Sequence, residues 1–115
     1  MIEKVLLDYL NDSTLSVNAY METPERVPSS YVLVEKTGSS RRNLIDSATI
    51  AIQSIAGSLY DAALLNEEVK ALMDPFLVPS CISSCKLNSD YNFTDTRTKQ
   101  YRYQAVFNLV YKEAE

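Results

Sequence analysis

The sequence predicts an α+β fold, with a mainly antiparallel sheet of about five strands and two helices packed on one face of it. Two observations carry this prediction. The last part of the chain alternates between apolar and polar residues, which indicates a strand and permits no helix. A segment near the middle instead repeats its apolar residues every three or four positions, as an amphipathic helix does. With the remaining segments, the predicted order is α-β-β-β-α-β-β.

The N-terminal quarter is predicted to hold a short helix and a strand. Apolar residues fall at helical spacing over 2–10, and the polar stretch 11–14 ends that pattern. Residues 16–22 then alternate, which indicates a strand. Pro24 and Pro28 follow, so we expect a long connection after this strand.

The next two strands form a hairpin-like pair in this prediction. Residues 31–37 are rich in β-branched and aromatic side chains, and residues 47–55 alternate. The connection between them, residues 38–46, is polar and long enough to protrude as a loop. Arg41 and Arg42 lie in this expected loop.

The second helix has a sequence signal for its start. Ser58 precedes Asp61 by three positions, so its hydroxyl can accept a free amide while the carboxylate favours the helix N-terminus. The pattern ends at Asp74 and Pro75. The apolar face comprises Leu59, Ala62, Leu65, Val69, Leu72 and Met73, opposite Asn66, Glu67 and Lys70.

A long C-terminal hairpin completes the predicted sheet, with a polar turn over 94–98. Its arms of about 12 residues would reach about 40 Å, whereas the second helix covers only about 24 Å. We therefore expect part of the hairpin to extend past the helix, where neighbouring subunits would cover it. Each arm of the hairpin is expected to place alternate residues on a common face. In the first arm these are Cys85, Leu87, Ser89, Tyr91 and Phe93. In the second arm they are Tyr101, Tyr103, Ala105, Phe107, Leu109 and Tyr111.

Composition excludes several classes of function. The chain has 115 residues and a net charge of -4, which fits a single domain over 1–115. It contains no histidine, so a histidine-dependent catalytic triad is excluded. Its two glycines, Gly38 and Gly57, lie too far apart for a Walker loop or a dinucleotide-binding fingerprint. We expect neither enzymatic activity nor a cofactor.

The two cysteines do not indicate a metal site. With no histidine to complete a four-ligand set, Cys81 and Cys85 cannot form an ordinary monomeric zinc site. Free thiols and a disulfide across four residues both stay open. Charged residues interrupt the apolar residues of 1–11, unlike a secretory signal, and no apolar run approaches the roughly 20 residues that span a bilayer. We expect a protein of the cytoplasm without a membrane partner.

Other motifs have ordinary explanations. Glu67 and Glu68 lack a partner in sequence and fit a solvated helix face. Residues 90–101 superficially resemble a calcium loop, but Asp95 stands where that loop needs glycine and Tyr101 where it needs an acid.

Basic and aromatic residues interleave near the last turn, where Arg97, Lys99 and Arg102 stand beside Tyr101 and Tyr103. This arrangement could bind single-stranded nucleic acid through phosphate contacts and base stacking. It is more often typical of a strand with one solvent-exposed and one buried face, and the acidic chain also favours that alternative.

Three segments resemble one protein family over about residues 2–111. They are the strand VLVEKTG, the strand and helix AIQSIAGSLYDAALLNEEVKALM, and the hairpin KLNSDYNFTDTRTKQYRYQAVF. Together they are similar to the tail terminator or tail completion proteins of long-tailed bacteriophages, also called head-to-tail joining proteins. The resemblance implies an α+β subunit with a sheet and two helices.

The resemblance also implies a function and partners. Such subunits form a ring, expected here to be a hexamer, that caps the tail tube and meets the head connector while DNA passes through the lumen. A virion component assembled in a bacterial cytoplasm is therefore expected, from an active phage or a prophage. Candidate interface residues are Tyr101, Tyr103 and Phe107, at the core or the subunit boundary. Candidate lumen or docking residues are Arg41, Arg42, Arg97, Lys99 and Arg102.

Alternatives to the function of a tail terminator stay open. A head-side completion or adaptor protein belongs to the same structural class, whereas a regulatory binding module or a single-strand nucleic-acid binder does not. Ring formation would separate a tail terminator or a head-side protein from a regulatory module. Salt-sensitive affinity would identify the nucleic-acid binder.

Overall fold

A computed structural model describes residues 1–112, and in it two helices cover one face of a five-stranded sheet. The α+β class and the order α-β-β-β-α-β-β are confirmed. The helices are α1 (Ile2–Asn11) and α2 (Leu59–Leu72), and the strands are β1 (Ala19–Tyr20), β2 (Tyr31–Arg42), β3 (Ile45–Ala56), β4 (Ile82–Asn92) and β5 (Tyr101–Tyr111).

The sheet has the strand order β1-β2-β3-β5-β4, and every pair except the parallel β1 and β2 is antiparallel. The central pair, β3 and β5, is in continuous register from Asp46 opposite Tyr111 to Ala56 opposite Tyr101. The tips of the β2–β3 and β4–β5 hairpins consequently lie at opposite ends of the sheet. This arrangement gives an elongated molecule of 44 × 26 × 25 Å.

The core lies between the helices and one face of the sheet. Directly opposed residues in antiparallel strands point to the same face, so the apolar pairs of β3 and β5 form continuous rows there. The helices add one apolar side chain per turn. The buried set includes Ile2, Leu6 and Leu10 of α1, Leu65 and Val69 of α2, and Val34, Ile50, Ile52, Phe107 and Leu109 of the sheet.

Helix α2 begins where the sequence predicts. The backbone amide of Asp61 donates to Ser58 Oγ at 3.1 Å, which caps the helix. The predicted polar face needs one correction, because Asn66 is buried at 2% exposure. Asn66 lies four residues after Ala62 and three before Val69, so it shares their sheet-facing arc.

The predicted loop over 38–46 is wrong. Strand β2 continues through Arg42, and a two-residue turn of Asn43 (φ 53°) and Leu44 (φ 67°) leads into β3. A register shift between Lys36 and Gly38 leaves Thr37 out of the register, after which polar residues pair across the two strands. The segment that we expected to protrude as a loop is a regular β-ribbon.

The strand expected over 16–22 is short, since only Ala19 and Tyr20 pair with β2. The side chain of Asn11 binds the backbone of this short strand: its Oδ1 accepts from the amide of Ala19 at 2.8 Å, and its Nδ2 donates to the Ala19 carbonyl at 3.2 Å. The amide of Ser16 instead donates to Glu68. These bonds tie the segment to both helices.

The predicted common face of β4 is also wrong. Cys85 and Leu87 stand opposite the core residues Leu109 and Phe107, although Leu87 is itself exposed. Tyr91 stands opposite Gln104 on the other face, and Phe93 is also exposed. Register shifts occur between Ile82 and Ser84 and between Leu87 and Ser89, and each irregularity changes which face the following residues take. Alternate residues of β4 therefore do not all lie on the same face of the sheet.

Both cysteines are free thiols, so the disulfide alternative does not hold. Among residues 1–112, no helix is long and apolar enough to cross a membrane.

Candidate assembly surfaces

The face of the sheet opposite the helices, which we call the open face, carries a chain of hydrogen-bonded polar side chains. Gln53 of β3 donates through Nε2 to Gln104 Oε1 at 3.0 Å, and Gln104 donates to the hydroxyl of Tyr91 on β4 at 2.5 Å. Half-buried Leu33 and Val106 lie beside this chain of hydrogen bonds. The open face thus presents amides and aliphatic side chains on β2, β3 and β5, with Tyr91 of β4 beside them.

Arg102 is held at one edge of the open face. Its guanidinium lies 4.8 Å from the centre of the Phe93 ring, and its Nε donates to the Phe93 carbonyl at 2.8 Å. Phe93 also meets Tyr91 edge to face, with ring centres 5.9 Å apart. Arg102 therefore secures the end of the β4–β5 hairpin, a role that the alternation alone did not predict.

The β4–β5 tip, residues 93–100, carries two exposed cations, Arg97 and Lys99. The Arg97 amide donates to the Asp95 carboxylate at 3.0 Å. This hydrogen bond, ahead of the other interactions, lowers the pKa of Asp95. This bond orders the turn, on which Arg97 and Lys99 are exposed.

The three candidate interface residues occupy different environments. Phe107 is 1% exposed and lies in the subunit's own core, one of the two places that we expected. Tyr101 and Tyr103 are half-buried at the start of β5, opposite Ala56 and Ser54 on the helix-facing side. The tyrosines can contribute to a subunit contact only through their exposed edges, and Phe107 contributes to folding.

The opposite end of the sheet carries the β2–β3 tip, which we define as Arg41–Asp46. Leu44 is 80% exposed and Ile45 is 53% exposed. Arg41 Nε lies 3.8 Å from Asp46 Oδ1 across the ribbon. Arg42 is also exposed, so the tip combines apolar side chains with positive charge.

A surface cavity of about 400 Å³ lies beside α1 and is lined by Val5, Asp8, Tyr9, Asp12, Ser13 and Pro79. We call it the α1 depression. Its floor is apolar and its rim carries two carboxylates, of which Asp8 accepts from Lys4 Nζ at 3.0 Å. The Tyr9 hydroxyl donates to the Leu72 carbonyl at 2.6 Å, which fixes α1 against the end of α2. Burial, followed by the charge of Asp74, raises the pKa of Tyr9.

An apolar loop follows α2 over residues 74–79. The Asp74 carboxylate accepts from the Phe76 amide at 2.8 Å, and the Asp74 carbonyl accepts from the amides of Leu77 and Val78. Val78 enters the core, whereas Phe76 is 95% exposed. An ordered turn therefore holds a large aromatic ring in solvent.

The structure separates the predicted docking residues into two groups. Arg41 and Arg42 lie at one end of the sheet, and Arg97, Lys99 and Arg102 at the other. Sequence reasoning missed Leu44, Phe76 and the α1 depression. Asn43 was the available signal, since asparagine tolerates the left-handed conformation of a tight turn.

No group of three or more histidine, cysteine, aspartate or glutamate side chains suited to a metal ion occurs in the described part of the chain. No protein-family model matches the sequence, and no curated protein matches it significantly.

Proposed function

We propose that this chain is a structural subunit of a long-tailed phage or prophage particle. It forms a ring that closes the tail tube and joins it to the head connector. The observation that carries the proposal is the exposure of apolar side chains at both ends of the sheet, with Leu44 and Ile45 at one end and Tyr91 and Phe93 at the other. A 13.0 kDa subunit that leaves these groups in solvent has surfaces suited to partners.

The strand edges favour a ring over a symmetric dimer. β1 covers only Val32 and Leu33 of β2, so the rest of that edge is free in the described chain, and β4 forms the other edge of the sheet. These two edges differ in length, sequence and irregularity. A contact between unlike surfaces is heterologous and repeats from subunit to subunit until it closes, as in a hexameric ring.

The partners in this proposal are other copies of the chain, the tail tube protein and the head connector protein. DNA contacts the ring only during passage through its lumen, for which Arg97 and Lys99 are the available cations of the β4–β5 tip. The net charge of -4 disfavours tight general binding to DNA. The role is non-enzymatic and needs no cofactor, and the subunit joins the virion in the bacterial cytoplasm.

Deletion of the gene from the phage or prophage genome tests this proposal. Electron microscopy of induced particles is expected to show overlong tails detached from DNA-filled heads, because nothing stops tube polymerisation. Tails of normal length beside unjoined heads would instead assign the protein to the head side of the junction. Intact infectious particles would overturn the proposal, and supplying the wild-type gene in trans is the control for secondary effects.

A single-strand nucleic-acid binder is the second candidate, since exposed Tyr91 and Phe93 lie near Arg97 and Lys99. Its affinity for a fluorescent oligonucleotide should fall steeply with salt. Tyr91→Ala should weaken that binding by about tenfold, because stacking on one aromatic contributes about 1–3 kcal/mol. Absence of binding at low salt would rule this function out.

A further inference from the structure

The presence of leucine at position 44 has no explanation within its own subunit. Asn43 and Leu44 both have positive φ, which the two central residues of this tight hairpin turn require and which glycine adopts best at the second position. A leucine is strained there, and its side chain is 80% exposed. Strain at a position without internal compensation indicates that the side chain is kept for a contact outside the subunit.

The α1 depression has the chemistry to receive such a side chain. Val5, Tyr9 and Pro79 provide apolar surface, and the cavity of about 400 Å³ can accommodate a leucine side chain. Asp12 stands on its rim, exposed and without an ion pair among residues 1–112. An apolar group with a cation beside it would therefore complement both the floor and the rim.

The β2–β3 tip is a group of this kind. Leu44 and Ile45 are its apolar part, and Arg42 is exposed with no ion-pair partner anywhere in the described chain. The strands are paired up to Arg42 opposite Ile45, so the ribbon is ordered to its last pair. None of its residues lines the depression of its own subunit.

We propose that the β2–β3 tip of one copy docks in the α1 depression of a neighbouring copy. Leu44 packs on Val5 and Tyr9, and Arg42 lies against Asp12. The occupant is a second copy because this chain itself supplies both the basic apolar tip and the acid-rimmed depression. The inference rests on the proposed ring and deepens it, since tip and depression are unlike surfaces that form a heterologous contact.

The test measures self-association of the full chain by sedimentation velocity and native mass spectrometry over a range of concentrations. Leu44→Gly removes the docking side chain and suits the turn, so the thermal midpoint should stay equal or rise. Its self-association should weaken by about tenfold or more, as expected for a central apolar anchor. Arg26→Glu, at an exposed residue in the loop between β1 and β2, is the matched control for a surface charge change and should leave association unchanged.

Charge exchange tests the orientation of the contact. Arg42→Glu and Asp12→Arg should each weaken association several-fold, and the double variant should recover most of the wild-type affinity, because the opposite charges again face each other. Circular dichroism checks that each variant is folded.

The outcomes separate this inference from the proposed ring. If the wild type assembles while Leu44→Gly and Arg42→Glu behave like Arg26→Glu, the docking contact is wrong and the ring stands. Charge exchange without recovery would also overturn the pairing of Arg42 with Asp12. A wild-type chain that stays monomeric at every concentration would overturn both the self-assembled ring and the contact.

Discussion

At the scale of single residues, Asn66 is a buried amide whose Oδ1 has no hydrogen-bond partner in the described part of the protein. An unsatisfied buried polar group costs about 1–3 kcal/mol. We expect Asn66→Leu, which keeps a similar volume, to raise the free energy of unfolding by about 1 kcal/mol. Urea denaturation measures this change, with Asn66→Asp as the control that should lower stability by burying a charge. A less stable leucine variant would show that the amide is satisfied in solution.

Cys85 provides a second prediction at this scale. Burial, and then the negative charge of Asp74, raises the pKa of its thiol from 9.0 to about 11, and its Sγ donates to the Met73 carbonyl at 3.2 Å. Since the thiolate is the reactive form, Cys85 should resist alkylation at pH 8 in the folded protein. Mass spectrometry should find it modified only after guanidinium unfolding, with half-buried Cys81 as the internal comparison. Rapid modification of Cys85 in the native state would contradict its placement.

The raised pKa of Cys85 also predicts how the free energy of unfolding depends on pH. The folded state keeps the Cys85 proton to a higher pH than the unfolded chain does. The free energy of unfolding should therefore fall as pH rises from about 9 towards about 11, and this thiol should contribute no pH dependence well below that range.

At the scale of elements, the start of α2 depends on one side chain. Ser58 Oγ accepts the Asp61 amide, so Ser58→Ala should lower the free energy of unfolding by about 1 kcal/mol. Ser58→Asp retains a capping oxygen and is the matched control. Equal stability of all three proteins in urea would mean that water satisfies the amide equally well.

Helical and strand periods predicted α1, α2 and β5 because each segment exposes one face and buries the other. The two ends of the sheet were not predictable in the same way. Leu44 is not a residue that indicates a tight turn, and bulges such as the one between Leu87 and Ser89 leave no mark on composition. Both features depend on the register in which a strand pairs with the next strand of its hairpin, which the pattern of a single segment does not record.

The candidate surfaces, like the strands and helices, were predictable from the sequence only in part. The exposed cations Arg41 and Arg42 were found from the sequence, although the ribbon that carries them was not. The α1 depression could not be predicted, because Pro79 meets Val5 and Tyr9 only through packing of α1 beside the end of α2. Sequence patterns predict which residues face solvent, whereas the fold determines which of these residues lie close to one another.

At the scale of the whole molecule, Phe76 is the most exposed large apolar side chain of the described chain. Phe76→Ser should change the free energy of unfolding by no more than about 0.5 kcal/mol, because the ring is absent from the core. We expect the variant to self-associate more weakly and to join fewer heads to tails when it complements the deletion. Val27→Ser, at another exposed apolar residue in a loop, is the matched control. Unchanged association and joining would show that Phe76 contacts no partner.

The separation of β3 and β5 along the chain has a consequence for synthesis. The β2–β3 hairpin leaves the ribosome with its apolar row, including Val34 and Ile50, lacking the strand that later completes it. At about 5–20 residues per second, β5 follows only after several seconds. Helix α2, which begins three residues after β3 ends, emerges first and packs on the same face. The order of elements thus lets the nascent chain shield its growing sheet before the last hairpin arrives.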